Sequence, residues 1–292
     1  MTITPGLHLD LPEEQYHGAL DWLSASGIKK LIPPSTPAHF KQALGVEVFK
    51  PQFDTGKIVH ALVLGKGAEF EVVQKVGRDK VKRDADDLKT VSAQAHVAEI
   101  RAAGKVPVVR DDLAEAESMA AAVLADPVAR ALFSNGTAEA SAFWIDPATG
   151  VQCRARFDWL PDKVEGRRLI VPDLKTANDA SPQEFPRAAG KYGYHVQDAM
   201  YCDGIKALGI DEDPLFMFVV IEKSSHLINV LPWSNDSRRL GHAVVDRARR
   251  VYRECVEADS WPGYRNPEAV SPPMDLPPYI AYPQEEYASD LT

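Results

Sequence analysis

At Glu139 the hydrophobic periodicity of the chain changes from a helical pattern to alternation, and this change restricts the folds the sequence can adopt. Residues 139–160 alternate about a turn at Pro147–Gly150, which is typical of a β-hairpin. Upstream, the helical segments are 37–40, 54–65, 93–103 and 111–133. A helical first part followed by a sheet predicts an α+β or mixed α/β fold around one core.

The second half of the chain continues this mixture. The predicted elements are a third strand at 168–176, helices within 181–208, two strands at 215–222 and 227–233, and a helix from Asn235 to Ala258. We therefore expect a central, mostly antiparallel or mixed sheet flanked by helices. The polar segment from Arg78 to Lys89 is predicted to be an exposed loop, and the proline-rich tail after Trp261 to be irregular.

Charge and cysteine content exclude several classes of protein. The 33 basic and 42 acidic residues leave a net charge of −9, which argues against a broad basic surface for nucleic acid. It does not exclude a confined basic track, which would hold DNA weakly without divalent metal. Cys153, Cys202 and Cys255 are far apart, which argues against a disulfide framework, a cysteine zinc site and a four-thiolate iron–sulfur cluster. No apolar run reaches the ~18 residues of a membrane span, so we expect a soluble intracellular protein.

Two strands carry the candidate chemistry. The period of two places Asp158 on the polar face of the second hairpin strand, and Asp173 and Lys175 together on the third strand. If the strands are adjacent, two carboxylates and one ammonium converge. Mg²⁺ prefers such carboxylates, the carbonyl of Leu174 could complete its coordination, and Lys175 could orient water or stabilise charge on phosphorus. The alternative is a salt-bridged strand surface, which the spacing alone favours, since short motifs are common.

A helix downstream adds polar groups. Gln197 and Tyr201 are spaced i and i+4, and Tyr194 extends the same face. Amide and phenol groups can hold a phosphodiester backbone without reading bases. The alternative is an amphipathic helix whose tyrosines rim the core.

Taken together, these motifs resemble the PD-(D/E)XK nuclease superfamily in its RecB-like branch, and in detail the RecE-type (exonuclease VIII) exonucleases. The motifs are Gly56–His60, Asp158, Asp173-Leu-Lys175 and Gln197-x-x-x-Tyr201, with Leu23–Gly27, Ser35–Phe40, Cys153–Asp158 and Trp261–Tyr264. The resemblance spans residues 6–264. It implies a restriction-endonuclease-like core in a single nuclease domain at 1–265, with a helical part at 1–135, catalytic elements at 136–260 and a tail at 266–292.

The resemblance also implies roles for individual residues. His60, Asp158 and Asp173 would be metal ligands, with Leu174 contributing its carbonyl, and Lys175 would be the catalytic lysine. Asp173 stands where many members have glutamate. Gln197, Tyr201 and Tyr194 would support the site and the substrate backbone. Glu139 could add a carboxylate or be a strand-edge charge, and His60 alone would be read as a core histidine.

The activity implied is Mg²⁺-dependent digestion of linear double-stranded DNA, 5′ to 3′, in which Mn²⁺ could substitute. The product would be a 3′ overhang for a single-strand annealing recombination protein. Similar enzymes form rings, so a homotrimer or homotetramer in the cytoplasm of a bacterial host, of phage or prophage origin, is expected.

Alternatives remain at this stage. One is a catalytically silent DNA-end-binding module, and another is a helicase-associated or CRISPR-adaptation nuclease, against which the missing cysteine cluster counts. Two basic groups are candidate phosphate contacts: Lys80, Lys82 and Arg83 in the predicted loop, and Arg247, Arg249, Arg250 and Arg253 on the last helix. The second group alternates with acidic residues, which is equally typical of a solvated face.

Overall fold

The computed structural model describes residues 3–46, 54–77, 79–265 and 268–289. The helices are α1 (Glu13–Gly18), α2 (Ala25–Leu31), α3 (Pro37–Ala43), α4 (Asp54–Leu64), α5 (Val91–Ala102), α6 (Arg110–Ala125), α7 (Pro127–Leu132), α8 (Phe185–Lys191), α9 (Tyr194–Ala207), α10 (Asn235–Glu257) and α11 (Pro278–Ser289). The strands are β1 (Gly6–His8), β2 (Leu23–Ser24), β3 (Phe70–Val72), β4 (Gln74–Val76), β5 (Lys82–Asp84), β6 (Val106–Val108), β7 (Gly136–Ala138), β8 (Ser141–Ile145), β9 (Gln152–Arg156), β10 (Trp159–Pro161), β11 (Ile170–Ala177), β12 (Leu215–Glu222) and β13 (Ile228–Leu231).

Two sheets organise the fold. One has the strand order β1-β8-β9-β2, and the other has the order β11-β12-β13. Strands β11 and β12 are parallel, with α8 and α9 forming the connection between them, whereas β12 and β13 are antiparallel. The prediction of a mixed α and β fold is confirmed. Hydrogen bonding nevertheless divides the predicted central sheet, because the hairpin β8–β9 belongs to a different sheet from β11.

The sequences of β11 and β12 are mostly apolar because other elements pack on both faces of their sheet. On one face Val171 and Phe218 belong to the larger core, which includes residues of α2, α9 and the β8–β9 hairpin. On the other face Leu174, Val219 and Ile221 pack with residues of α4 and α6. Since fully buried leucines typically contribute ~2–5 kcal/mol each, these two layers hold the sheet rigidly.

Helices α9 and α10 pack closely at a glycine. A Cβ atom at Gly241 of α10 would lie 2.3 Å from the backbone oxygen of His195 in α9. The absence of a side chain at this position therefore lets the two backbones touch. This contact fixes the helix that carries Gln197.

One arginine of the cluster on α10 is structural. Arg249 is 2% exposed, and its guanidinium lies 3.1 Å from a carboxylate oxygen of Asp146 and 2.9 Å from one of Asp203. These ion pairs join α10 to α9 and to the turn after β8. Arg249 is therefore not available to a phosphate, whereas Arg247, Arg250 and Arg253 are exposed.

Three local predictions are wrong. Within 78–89 the described residues include strand β5, which pairs with β4, instead of a loop alone; Arg78 itself lies outside the described residues. The tail contains helix α11, because Pro278 stands at its first position, where no backbone N–H is needed. The cap of α10 is Ser234, whose hydroxyl accepts from the Ser237 N–H, and not Asn235.

All three cysteines are buried and free. Among the helices in the described ranges, none combines the length and the apolar character needed to cross a bilayer.

Candidate active site

A cleft of about 1010 Å³ lies where β11, α2, α4 and α9 meet. Its lining includes all the residues that the sequence predicts for the site except Asp173, which lies just beneath the surface and is 1% exposed. Helix α4 contributes His60 and α9 contributes Gln197. The fold thus brings together residues that are separated by more than a hundred positions in the chain.

Asp158 lies at the bend between β9 and β10 instead of on a continuous strand. One of its oxygens, Oδ2, accepts the backbone N–H of Leu174 at 2.9 Å, which ties the bend to β11. The same oxygen is 3.5 Å from Nδ1 of His60. The predicted approach of Asp158 to the third strand is therefore observed, through a side chain-to-backbone hydrogen bond.

Asp173 and Lys175 project from the same face of β11, as their spacing predicts. The Lys175 ammonium forms an ion pair with Oδ2 of Asp173. The other oxygen, Oδ1, accepts a hydrogen bond from Nε2 of Gln197 at 2.7 Å. Lys175 Nζ also lies 5.1 Å from the ring centre of Tyr194. Both ends of this ion pair are thus held by α9.

Burial dominates the electrostatics of the cluster. It raises the pKa of Asp158 to about 6, and burial together with repulsion from Asp158 raises the pKa of Asp173 to about 6. Burial, followed by repulsion from Lys175, lowers the pKa of His60 to about 4. Although burial opposes it, attraction by Asp173 and Asp158 raises the pKa of Lys175 above its usual value. At neutral pH the histidine is neutral and the lysine is charged.

The two tyrosines of α9 have different surroundings. Tyr201 makes edge contacts with Phe157 and Phe216, at ring-centre distances of 5.2 and 5.5 Å. Tyr194 stacks on Phe218 at 5.6 Å and faces the ammonium of Lys175. Tyr201 thus also rims the core, as the alternative reading of this helix predicts, whereas Tyr194 holds a charged group of the site.

Glu139 adopts a backbone conformation that is unusual for a residue other than glycine, with φ of 58°. Its carboxylate lies 2.5 Å from Nε of Arg156, and that arginine also donates to the backbone oxygen of Leu11 at 3.1 Å. Glu139 therefore lines the cleft, but its carboxylate already pairs with Arg156.

The polar face of β9 is covered, which the sequence did not predict. Arg154 is 8% exposed, donates to the backbone oxygen of Tyr16 and lies 4.8 Å from the centre of the Tyr16 ring. The N-terminal segment thus packs over this face through arginines and an aromatic ring.

The basic hairpin β4–β5 does not line the cleft. Lys80 and Lys82 are exposed, and Arg83 pairs with Asp79 at 2.5 Å. In their place the cleft contains Lys29 and Tyr192, which sequence reasoning missed because no local pattern marks them. It also contains Lys57, which lies within the Gly56–His60 motif but was given no role of its own. Only the folded chain brings α2 and the segment before α9 to this cleft.

The donor set matches a hard divalent cation in chemistry. Carboxylates of Asp158 and Asp173 and the carbonyl of Leu174 are oxygen ligands, which such ions prefer. The neutral imidazole of His60 is a nitrogen ligand, which transition-metal ions bind more readily. The two carboxylates face one ammonium, and a buried oxygen of Asp173 has no hydrogen bond of normal geometry within the described residues. Over the same residues, no three His, Cys, Asp or Glu side chains already surround a common point. The Asp173 carboxylate is instead engaged by Lys175 and Gln197.

Comparisons with known proteins concern the family and the fold. A family model described as "PDDEXK-like domain of unknown function (DUF3799)" matches residues 24–268. The crystal structure of a "Putative exonuclease" from Eubacterium rectale is similar with a TM-score of 0.58 at 12% identity, covering 92% of this chain and 97% of that one. This likeness shows a shared fold.

Rai1 from Scheffersomyces stipitis, solved in complex with (3′-NADP)⁺ and calcium ion, has a TM-score of 0.29 at 9% identity, covering 85% of this chain and 68% of that one. No curated protein matches the chain.

Proposed function

The chain belongs to the family of the PDDEXK-like domain of unknown function, and from this premise we propose that it is a metal-dependent nuclease that hydrolyses phosphodiester bonds of DNA. The observation that carries the proposal is the meeting of Asp158, Asp173 and Lys175 beside one cleft, with Gln197 bonded to Asp173. A salt-bridged strand surface would not need His60 and an aromatic-backed lysine beside one buried and one half-buried carboxylate.

Each residue has a role in this proposal. Asp158, Asp173, His60 and the carbonyl of Leu174 would hold Mg²⁺, for which Mn²⁺ could substitute. The bound ion would lower the pKa of water enough to supply hydroxide at neutral pH. Gln197 orients the Asp173 carboxylate through its 2.7 Å hydrogen bond. Lys175, charged and held against Tyr194, would stabilise the negative charge on the phosphate oxygens while the water oxygen bonds to phosphorus. In the same step the P–O bond to the leaving sugar oxygen breaks, and that oxygen takes a proton from solvent.

The finer parts of the proposal rest on the resemblance of the motifs to RecE-type exonucleases. We propose that the protein digests linear double-stranded DNA from 5′ to 3′ and leaves a 3′ overhang. We further propose that it acts with a single-strand annealing protein and forms a ring of three or four subunits. We also propose that the protein acts in the cytoplasm of a bacterial host and is of phage or prophage origin. Tyr201, Tyr194 and Glu139 are proposed to support the site and the substrate.

The test is incubation of the purified protein with linear and closed circular duplexes, labelled at the 5′ or the 3′ end, with and without Mg²⁺. We expect degradation of linear duplex from the 5′ end and none with EDTA. K175A should lower the rate by at least ~10²-fold, because it removes a charge that stabilises the transition state. K206A is the matched control, since Lys206 is an exposed cation at the other end of α9, and it should retain full activity.

Full activity of K175A would refute the catalytic assignment, and cleavage of closed circles would refute the exonuclease assignment. Titration calorimetry with Mn²⁺ and Mg²⁺ distinguishes a nuclease from a module that only binds DNA ends. A wild-type protein that binds DNA ends but neither Mn²⁺ nor Mg²⁺ would be a catalytically silent module.

A further inference from the structure

Lys29 of α2 extends into the cleft beside the catalytic cluster. Its aliphatic chain crosses Gly193, where a Cβ atom would lie 3.1–3.2 Å from the Lys29 side-chain carbons. Its ammonium nitrogen lies 5.5 Å from the ring centre of Tyr194, the ring that Lys175 also approaches at 5.1 Å. Glycine at position 193, with φ of 65°, leaves the room in which the Lys29 chain lies. Two ammonium groups thus lie near one tyrosine.

Several cations of this cleft are paired with carboxylates. Lys175 pairs with Asp173, Arg156 with Glu139 and Arg187 with Glu184. The ammonium of Lys29, in contrast, has no carboxylate within 4.0 Å and no hydrogen bond among residues 3–46, 54–77, 79–265 and 268–289. The side chain is half-buried. A half-buried cation without an anion is costly, unless a ligand supplies the anion.

The surroundings of Lys29 select an anionic ligand. Lys29 and Lys175 lie near the same ring, so an anion placed beside both ammonium groups would be attracted by each. Such an anion would also relieve the repulsion from Lys175 that, after burial, lowers the pKa of Lys29 to about 8. The cleft has a volume of about 1010 Å³. Successive phosphates of one DNA strand are about 3.4 Å apart along the duplex axis. Because both ammonium nitrogens lie within 5.5 Å of the centre of one ring, a strand that places one phosphate at Lys175 can present a neighbouring phosphate to Lys29.

We propose that Lys29 binds the phosphate next to the one that is hydrolysed and so holds the substrate strand in register with Lys175. This inference rests on the proposed nuclease function and deepens it. The alternative is that Lys29 only packs on Tyr194 and Gly193. The two differ in one respect, because packing depends on the aliphatic chain and phosphate binding depends on the charge.

The test compares K29Q, K29M and K29R with the wild-type protein. Glutamine and methionine retain an unbranched chain across Gly193 without the charge, and arginine retains the charge. We expect K29Q and K29M to raise KM for linear DNA about tenfold with kcat within about twofold, since uniform binding is lost. The slope of log KM against log salt should become shallower by about 0.7–0.9, as expected for one lost phosphate contact. K29R should restore both values.

K30Q is the matched control, because Lys30 is the next residue on α2 and is exposed, outside the cleft lining. It should leave KM and the salt slope unchanged. A wild-type KM and salt slope in K29Q would refute the inference while leaving the nuclease function intact. Equal defects in K29Q and K29R would assign Lys29 to packing.

A wild-type protein that degrades no DNA would refute the proposed function instead. Binding of labelled oligonucleotide, followed by fluorescence anisotropy, would then decide the role of Lys29 independently of activity. Under the inference, K29Q should bind the oligonucleotide about tenfold more weakly than wild type; equal affinity would overturn it.

Discussion

Replacing Gly241 with alanine should destabilise the protein, although glycine to alanine inside a helix normally stabilises by about 1 kcal/mol. The added Cβ would lie 2.3 Å from the backbone oxygen of His195 and 3.0 Å from its carbonyl carbon. Both atoms belong to the backbone of α9. No side-chain rotation can therefore relieve the contact, and α10 has to move away from α9.

The size of the effect follows from this distance. Ordinary contacts of a Cβ atom begin at 3.4 Å, so the helices must separate locally by about 1 Å. A gap of that size forfeits roughly a quarter to a half of the dispersion energy across the contact. Overpacking of this kind costs about 1–3 kcal/mol, and the gain in helix propensity offsets about 1 kcal/mol. The net loss lies between about 0 and 2 kcal/mol, and we expect the upper end, because both contacted atoms are backbone and cannot rotate away.

The displacement between α10 and α9 should also disturb the candidate active site. His195 is two residues before Gln197, whose amide is 2.7 Å from Asp173. Since misplacements near 1 Å can cost about 10²-fold in rate, G241A should also slow DNA degradation at least tenfold.

The assay is urea unfolding followed by circular dichroism, with G190A as the control. Gly190 lies in α8, and a Cβ atom there would meet nothing within 4 Å. G190A should therefore be neutral or stabilising by up to about 1 kcal/mol. A G241A protein as stable as wild type would refute the reasoning, because it would show that the helices are not in backbone contact.

Two further predictions concern polar groups. Q197A removes the hydrogen bond to Asp173 and should lower activity about 10–100-fold with little change in thermal stability, measured by initial rates and melting; wild-type rates would contradict this. D211N should destabilise by about 1–2 kcal/mol at pH 7, because hydrogen bonds from Lys163 and the Asp213 backbone lower the pKa of Asp211 to about 2. That pKa is below the unfolded value, so the stabilisation is present above pH ~4 and is lost as pH falls toward 2. Urea unfolding should show the difference from wild type shrinking between pH 7 and pH 3, and a constant difference would exclude the mechanism.

Much of the candidate site could be predicted because its residues lie on regular elements. The alternation of β11 places Asp173 and Lys175 on one face, and the helical period of α9 aligns Gln197 with Tyr194 and Tyr201. Lys29 could not be predicted in this way. A lysine in a short helix looks like a solvated residue until Gly193 and Tyr194, over 160 positions later, are placed beside it.

Two features could not be predicted from the sequence: the direction in which the strands pair, and which strand face is covered by another segment. The parallel pairing of β11 with β12 arises from a crossover through α8 and α9, and the alternation of either strand is the same for parallel and antiparallel neighbours. Arg154 reads as a solvent-facing residue of β9, yet it is buried because Tyr16, 138 positions away, covers it.

The sequence by itself determined the longer strands and most of the longer helices, the mixed fold class and the set of carboxylates, lysine and amide that form the candidate site. These depend on periodicity and residue chemistry, which act over a few positions. Only the tertiary structure decided which charges are paired, which face of β9 is covered, and that Lys29 lies half-buried in the cleft without a carboxylate within 4.0 Å among the described residues. Those depend on contacts between distant segments, whose energies arise from burial and desolvation and are therefore not present in any local pattern.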